Sequence, residues 1–285
     1  SANRGRPRTA RHALGSRNAP HDASLSTPMS HMNPYQPIEL AGSTLWLLAE
    51  KAVYWPEQQA LLIADIHFGK AAAYRRLGQP VPHGTTDANL RQLDDLLARY
   101  ACRQLIFLGD FLHAPESRAP STLARLAEWR AQHPQLDITL VRGNHDRRAG
   151  DPPRELDISV VSEPLLLGPY ALQHEPDPHP THHVLAGHVH PAFQLHGRGR
   201  QRLRLPCFCI GARLSLLPAF GNSTVTMMVA AVDNWQIYVI GDGEGWPLRR
   251  PALVRPRICL YCSWHVGRRG MLPGASRACC VCCCP

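Results

Sequence analysis

The chain has 285 residues, 44% of them hydrophobic and 19% charged, and a formal net charge of +9. That length and apolar content suffice for one domain with a sizeable core, while no apolar run approaches the roughly 20 residues of a membrane-spanning helix and no apolar stretch near the N-terminus reads as a secretory leader. The basic charge does not by itself mark a nucleic-acid-binding domain: residues 1–36 carry a net +4 and residues 247–285 a net +7, so the stretch 37–246 holds −2 of the total +9.

Residues 1–36, rich in Arg, Ser, Pro and Asn without apolar periodicity, read as a disordered extension. Residues 44–48 and 52–55 then form a hairpin, and residues 61–64 are a short apolar run that stops abruptly at Asp65, as a buried strand does. A helix after Phe68 carries Arg75 and Arg76. A second helix covers 86–100, with Leu90, Leu93, Leu96 and Leu97 at helical spacing and Thr86 as its N-cap. The apolar run 105–108 ends in Gly109-Asp110, a helix follows over 121–132, and the run 138–141 ends in Gly143-Asn144-His145-Asp146. This alternation of strand and helix predicts an α/β sheet.

From Ser159 the pattern changes to short strands at 160–161, 171–173, 184–186, 191–195, 201–208, 213–217 and 235–240. The expectation for residues 37–246 is therefore a sandwich of two sheets flanked by helices. Residues 247–285 are Arg, Pro and Cys without a period and read as a disordered tail. Seven of the ten Cys lie there, where Cys259-x-x-Cys262 has zinc-ligand spacing but the cluster Cys279 to Cys284 is too crowded for an ordered finger. The remaining three, Cys102, Cys207 and Cys209, fit a reduced cytoplasmic compartment better than a disulfide framework.

Three apolar strands thus end in metal-ligand residue types: Asp65-Ile66-His67, Gly109-Asp110 and Gly143-Asn144-His145-Asp146. In open α/β sheets ligands collect outside the carboxyl ends of strands. His174 follows a fourth strand and Gly187-His188-Val189-His190 a fifth. Taken singly, each has a plainer reading: Asp110 or Asn144 as a turn residue, and His188 and His190 as a polar edge of a strand with both rings on one side. Five such segments in order are hard to obtain by chance. Two cations about 3.5–4 Å apart clamp an in-line phosphoryl displacement. Held that close, they need a bridging anion such as the Asp110 carboxylate, and mixed imidazole and carboxylate ligands suit Mn, Fe or Zn. The glycines before Asp110, Asn144 and His188 permit sharp turns off the strand ends.

In that order, Asp-x-His, Gly-Asp, Gly-Asn-His-Asp, a lone His and Gly-His-x-His resemble the motifs of the calcineurin-like metallophosphoesterases, over roughly residues 40–245. The resemblance implies a four-layer αββα sandwich of two mixed β-sheets flanked by helices. It implies Asp65, His67 and His190 as ligands of one metal, Asp110 as the bridge, and Asn144, His174 and His188 as ligands of the other. A metal-bound hydroxide would be the nucleophile. His145 resembles the family's non-ligand histidine, which stabilises the phosphoryl charge and protonates the leaving oxygen. Asp146 either orients its loop or is a solvated turn acid. His113 stands where the phosphatases of the superfamily have Asp, and a His there resembles the nuclease-type members; a proton relay, a contact to the scissile phosphate and a structural role all remain open for it.

Ala64-Asp65-Ile66-His67-Phe68-Gly69-Lys70, Gly78-Gln79-Pro80-Val81-Pro82-His83-Gly84, Gly187-His188-Val189-His190-Pro191, Leu205-Pro206-Cys207-Phe208 and Leu217-Pro218-Ala219-Phe220-Gly221 resemble the bacterial ligase-associated DNA damage response endonucleases. After Gly221 the chain departs from that pattern, with Asn222-Ser223-Thr224-Val225-Thr226 in place of a Thr-Gly-Gly-like stretch. The subgroup implies a DNA substrate, Mn ions, a role in repair, and cooperation with a DNA ligase, a helicase and an exonuclease. Within the domain, Arg198, Arg200, Arg202 and Arg204 alternate along a strand and share one face. They could track a phosphate backbone near the metals, or form the solvated, charge-protected face of an edge strand. Two rivals remain: a hydrolase of small phosphate esters such as cyclic nucleotides, which the same metal site would serve, and a metal-binding scaffold, which would not need His145.

Overall fold

Strands β1 (Tyr35–Leu40), β2 (Ser43–Leu48), β3 (Ala52–Trp55) and β4 (Ala60–Ile63) pair as an antiparallel meander. The computed structural model describes residues 35–78, 84–196, 201–221, 226–229 and 235–241, and the backbone of 244–247. From β4 the first sheet continues in parallel through β5 (Gln104–Leu108), β6 (Asp137–Val141) and β7 (Ile158–Val161), in chain order from edge to edge. Parallel neighbours need crossovers, and four helices supply them: α1 (Lys70–Arg76), α2 (Thr85–Arg99), α3 (Pro120–Gln132) and α4 (Asn144–Ala149).

The second sheet comprises β8 (Leu165–Leu167), β9 (Tyr170–Gln173), β10 (His183–Ala186), β11 (Pro191–His196), β12 (Arg202–Ile210), β13 (Leu214–Leu216), β14 (Met227–Met228), β15 (Gln236–Gly241) and β16 (Glu244–Pro247). Its order is β14-β11-β12-β13-β10-β9-β8, with β15 on β12 and β16 on β15. Parallel pairing of β10 with β9 and with β13 makes this sheet mixed as well.

Period-two alternation sorts each central strand of the first sheet between two cores. Leu45, Val53, Leu62 and Ile106 meet Tyr170, Leu172, Leu185 and Phe208 of the second sheet. Leu61, Ile63, Leu105 and Phe107 point the other way, onto Leu90, Leu93 and Leu96 of α2 and Leu126 and Trp129 of α3. A third cluster, with Ala171, Val184, Ala186, Cys207 and Val239, lines the outer face of the second sheet and takes in no helix among the described residues. The two mixed sheets form the expected α/β sandwich, and the helices described lie on the side of the first sheet. No described helix is long and apolar enough to cross a membrane.

Two boundaries differ from expectation. Tyr35 and Gln36, assigned to the N-terminal extension, open β1, where the Tyr35 ring stacks on Trp46 at 4.0 Å. Pro37 lies within β1, an edge strand, where a missing N–H is tolerated. Thr86 is not the N-cap of α2: Gly84, in the left-handed region at φ 88°, turns the chain into the helix with no side-chain cap. The basic extension through residue 34, residues 79–83, Arg198, Arg200, residues 222–225 and the Cys-rich tail from residue 248 lie outside the described residues.

Leu62 is fully buried between the sheets. Leu62→Ala should lower stability by roughly 2–5 kcal/mol in chemical denaturation; a change below about 1 kcal/mol would contradict this packing.

Candidate metal centre

Register aligns the strand ends. Ile63 pairs with Phe107, and Phe107 with Leu140, so the segments after β4, β5 and β6 leave the first sheet level with one another. In the second sheet Ala186 pairs with Gln173, which sets Gly187 and His174 side by side. The edges of the two sheets are joined where the Phe220 N–H donates to the Ala64 carbonyl at 2.9 Å. All seven ligand-type residues expected from the sequence meet there, in two groups.

Asp65, His67 and His190 form the first group, their nitrogens and carboxylate oxygen within 4.8 Å of one another. In the second, the Asn144 Oδ1 lies 2.7 Å from His174 Nε2 and 3.1 Å from His188 Nδ1, and those two nitrogens are 3.0 Å apart. Asp110 stands between the groups. Its Oδ1 is 3.5 Å from His174 Nε2, and its Oδ2 is 3.9 Å from His67 Nε2. The GHVH segment is a loop rather than a strand, and His188 and His190 face different groups instead of one shared side.

Each of the two carboxylates divides its oxygens. Asp65 Oδ2 accepts the His188 N–H at 2.9 Å, while Asp65 Oδ1 is buried with no hydrogen-bond partner. Asp110 Oδ1 accepts the His145 N–H at 2.9 Å. Asp65, His67, Asp110, His188 and His190 all have positive φ, between 50° and 66°. Non-glycine residues there are strained and persist only where the surroundings over-determine them. The glycines serve close approach as well as turning: Gly109 takes φ 78° and a Cβ on it would collide with the His174 ring, while a Cβ on Gly187 would sit 2.5 Å from Asp65 Oδ2.

Beside His67 of the first group stand His113 and His145, stacked at 4.9 Å with their rings 20° apart and each 5.2 Å from the His67 ring, so that one nitrogen of each of the three could also hold a cation. His145 Nδ1 donates to the His113 carbonyl at 2.6 Å, which leaves Nε2 facing Asp110 Oδ2 at 3.9 Å. Asp146 is fully buried and accepts the Leu112 and Gly143 N–H groups, tying the second and third motif loops together, so it is no solvated turn acid.

Comparison with known proteins adds the family. The calcineurin-like phosphoesterase model matches residues 59–176. The crystal structure of nuclease MPE from Pseudomonas putida is 56% identical, with a TM-score of 0.68, and the match covers 75% of this chain and 100% of that one. The chain belongs to the calcineurin-like phosphoesterases. A search of the curated proteins gave no match.

As a family member the protein is a metal-dependent phosphoesterase, and its residues fit that requirement. The unpartnered buried Asp65 Oδ1 and the crowded imidazole nitrogens want a cation among them. His174 Nδ1 donates to the Leu108 carbonyl at 3.1 Å, so its Nε2 lone pair faces the centre. Burial holds His67 well below the usual histidine range, helped by the His190 charge, and burial also lowers His188. Both are thus neutral and ligand-ready at neutral pH. Burial pushes the Asp110 carboxyl up to about 6 against the pull of His174.

Two supporting residues escaped the sequence reading. Glu163 Oε2 accepts the backbone N–H groups of His174 and Glu175, at 2.8 and 3.0 Å, and its Oε1 pairs with Arg147. Asn89, buried on α2, donates to the Ile66 carbonyl at 3.1 Å between the two ligand-type residues of the first motif. Neither lies in a motif, and no spacing rule points to residues that act through another segment's backbone. The described part of the Arg stripe lies along β12, away from the centre. Arg204 and Arg202, both exposed, pair with Gln194 and His196. At ~3.3 Å per residue that is roughly 13 and 20 Å along the strand from His190.

A proton must leave Asp110 before a cation binds there, so uptake strengthens as pH rises to about 6 and levels off above it. Below that, affinity should fall by about tenfold per pH unit; Mn titration calorimetry between pH 5 and 8 should show the bend, and a flat profile would contradict it. Glu163→Ala should weaken uptake at the His174 group by roughly ten- to hundredfold, read as loss of one binding event in the same titration, with the other unchanged.

Proposed function

We propose that this chain is a dinuclear DNA phosphodiesterase, an endonuclease acting in DNA repair in the cytoplasm, with Mn as its cation and Fe or Zn as substitutes. The observation that carries the reading is the stacked His113–His145 pair packed beside His67 and Asp110, with the His145 tautomer set by the His113 carbonyl. The Pseudomonas putida relative is a nuclease, which supports diesters of nucleic acid as the substrate class.

In this reading Asp65, His67 and His190 hold one cation, Asn144, His174 and His188 the other, and Asp110 spans both. When bound, the cations supply Lewis acidity and an activated water near neutral pH. The protein's own groups do the rest. With Nδ1–H committed to the His113 carbonyl, the second proton of a His145 imidazolium sits on Nε2, which delivers it to the leaving oxygen as the bond from phosphorus to that oxygen breaks and the bond to the water oxygen forms. The His113 ring, held down to about 4 chiefly by burial, stays neutral and packs the His145 ring in place. Asp146 fixes the loops that carry both.

Free Cys102, Cys207 and Cys209 support a reducing compartment. Cooperation with a DNA ligase, a helicase and an exonuclease rests on the subgroup resemblance alone. One observation favours a second reading, hydrolysis of small phosphate diesters: Arg202 and Arg204 stand away from the centre, so no described Arg stripe runs beside it.

Supercoiled plasmid with Mn tests both readings. The wild type should nick it, and His145→Ala should keep both cations while losing roughly 10²–10⁴-fold in rate. Plasmid left intact by a wild type that still cleaves bis(p-nitrophenyl) phosphate would move the assignment to small diesters, and a His145→Ala variant as fast as the wild type would remove His145 from the chemistry.

A further inference from the structure

Lys70 opens α1 three residues after His67 and is only 8% exposed. Its backbone N–H donates to the His67 carbonyl at 3.2 Å. Its ammonium lies 5.7 Å from the centre of the Tyr74 ring, one helical turn on, and that ring is tilted against His113 at 5.5 Å. The Lys70 charge acts on His67 and His113 and sits in the field of Asp110 and Asp65. No hydrogen bond or ion pair engages it among the described residues.

That is an unusual place for an ammonium. Lys is almost never this buried unless paired; here the stem is covered, while the ammonium nitrogen is not itself sealed off and stays open to an incoming group. The acceptors within its field are the Asp65 and Asp110 carboxylates, whose open oxygens the cations would take. Once cations fill the centre, the protein offers Lys70 no counter-charge, and the repulsion between like charges grows. A dianionic or monoanionic phosphoryl group seated on the cations supplies what is missing, next to the His113–His145 side.

We propose that Lys70 is a substrate-binding residue whose ammonium holds a non-bridging oxygen of the scissile phosphate. The inference deepens the proposed diesterase reading and needs its phosphate class, not DNA in particular. The Tyr74 ring keeps the ammonium close, and the same ring packs against His113.

The test uses Lys70→Met, which keeps the apolar stem, Lys70→Gln as a polar isostere should the first fail to fold, and Lys70→Arg. Mn uptake is measured by calorimetry, orthophosphate binding is measured on the Mn-loaded protein, and kcat and KM are measured with bis(p-nitrophenyl) phosphate and a single-stranded oligonucleotide. The expected result is Mn uptake at wild-type stoichiometry, orthophosphate binding weakened roughly ten- to hundredfold, as for a lost hydrogen bond to a charged group, a matching fall in kcat/KM on both substrates, and partial recovery with Arg. Unchanged phosphate affinity and kcat/KM would reduce Lys70 to packing. Lost Mn uptake would assign it to assembling the ligand set instead, and either outcome overturns the proposal. A wild type active on the small diester but not on DNA would sink the DNA reading while leaving the Lys70 comparison intact on the small diester.

Discussion

Two hydrogen bonds from backbone to carboxylate hold this centre together: His188 N–H to Asp65, and His145 N–H to Asp110, each at 2.9 Å. Each ties a loop to a carboxylate on a different strand end, and the Asp65 bond crosses from one sheet to the other. Each engages one carboxylate oxygen, Asp65 Oδ2 or Asp110 Oδ1, and fixes the carboxylate so that Asp110 Oδ1 faces His174 and Asp110 Oδ2 faces His67. The positive φ of Asp65, His67, Asp110, His188 and His190 is tolerable because these bonds, the sandwich core behind them and the Phe220 to Ala64 bond leave the chain no relaxed alternative. The strain lies at the ligand-type residues and the packing that opposes it lies beneath them.

The same division of labour shapes the electrostatics. Asp65 and Asp110 are buried together, which is unfavourable without compensating cations. Burial keeps the neighbouring imidazoles neutral, so they donate lone pairs without adding positive charge. The His113–His145 pair, locked by the His113 carbonyl, packs directly against His67, so the groups proposed to handle the proton adjoin the ligand-type residues.

Much of this was legible in the sequence because chemistry and fold share a signal. A buried strand that stops abruptly at Asp65, Asp110 or Asn144 announces both a strand end and a ligand type, and parallel pairing brings such ends together. What escaped lacks that coupling. β1 contains Pro37, which is harmless on an edge. Gly84 replaced the hydroxyl cap that Thr86 promised, because backbone conformation alone turned the chain. Gly109 makes its turn at φ 78°, but Gly109, Gly143 and Gly187 are also spaces into which neighbouring ligand-type side chains project, which spacing does not reveal. Glu163 and Asn89 act on backbone groups distant in sequence, and Lys70 looked like an ordinary first-turn residue until its burial was known. Alternation places Arg202 and Arg204 on one strand, and only the strand register shows how far along β12 they lie from His190.

The central claim is that Asp110 joins two cation sites into one. Electron paramagnetic resonance of the protein titrated with Mn tests it most directly. The account predicts a spin-coupled pair at two equivalents, and its replacement by the signal of isolated ions in Asp110→Asn. Isolated, uncoupled Mn in the wild type at full loading would contradict it.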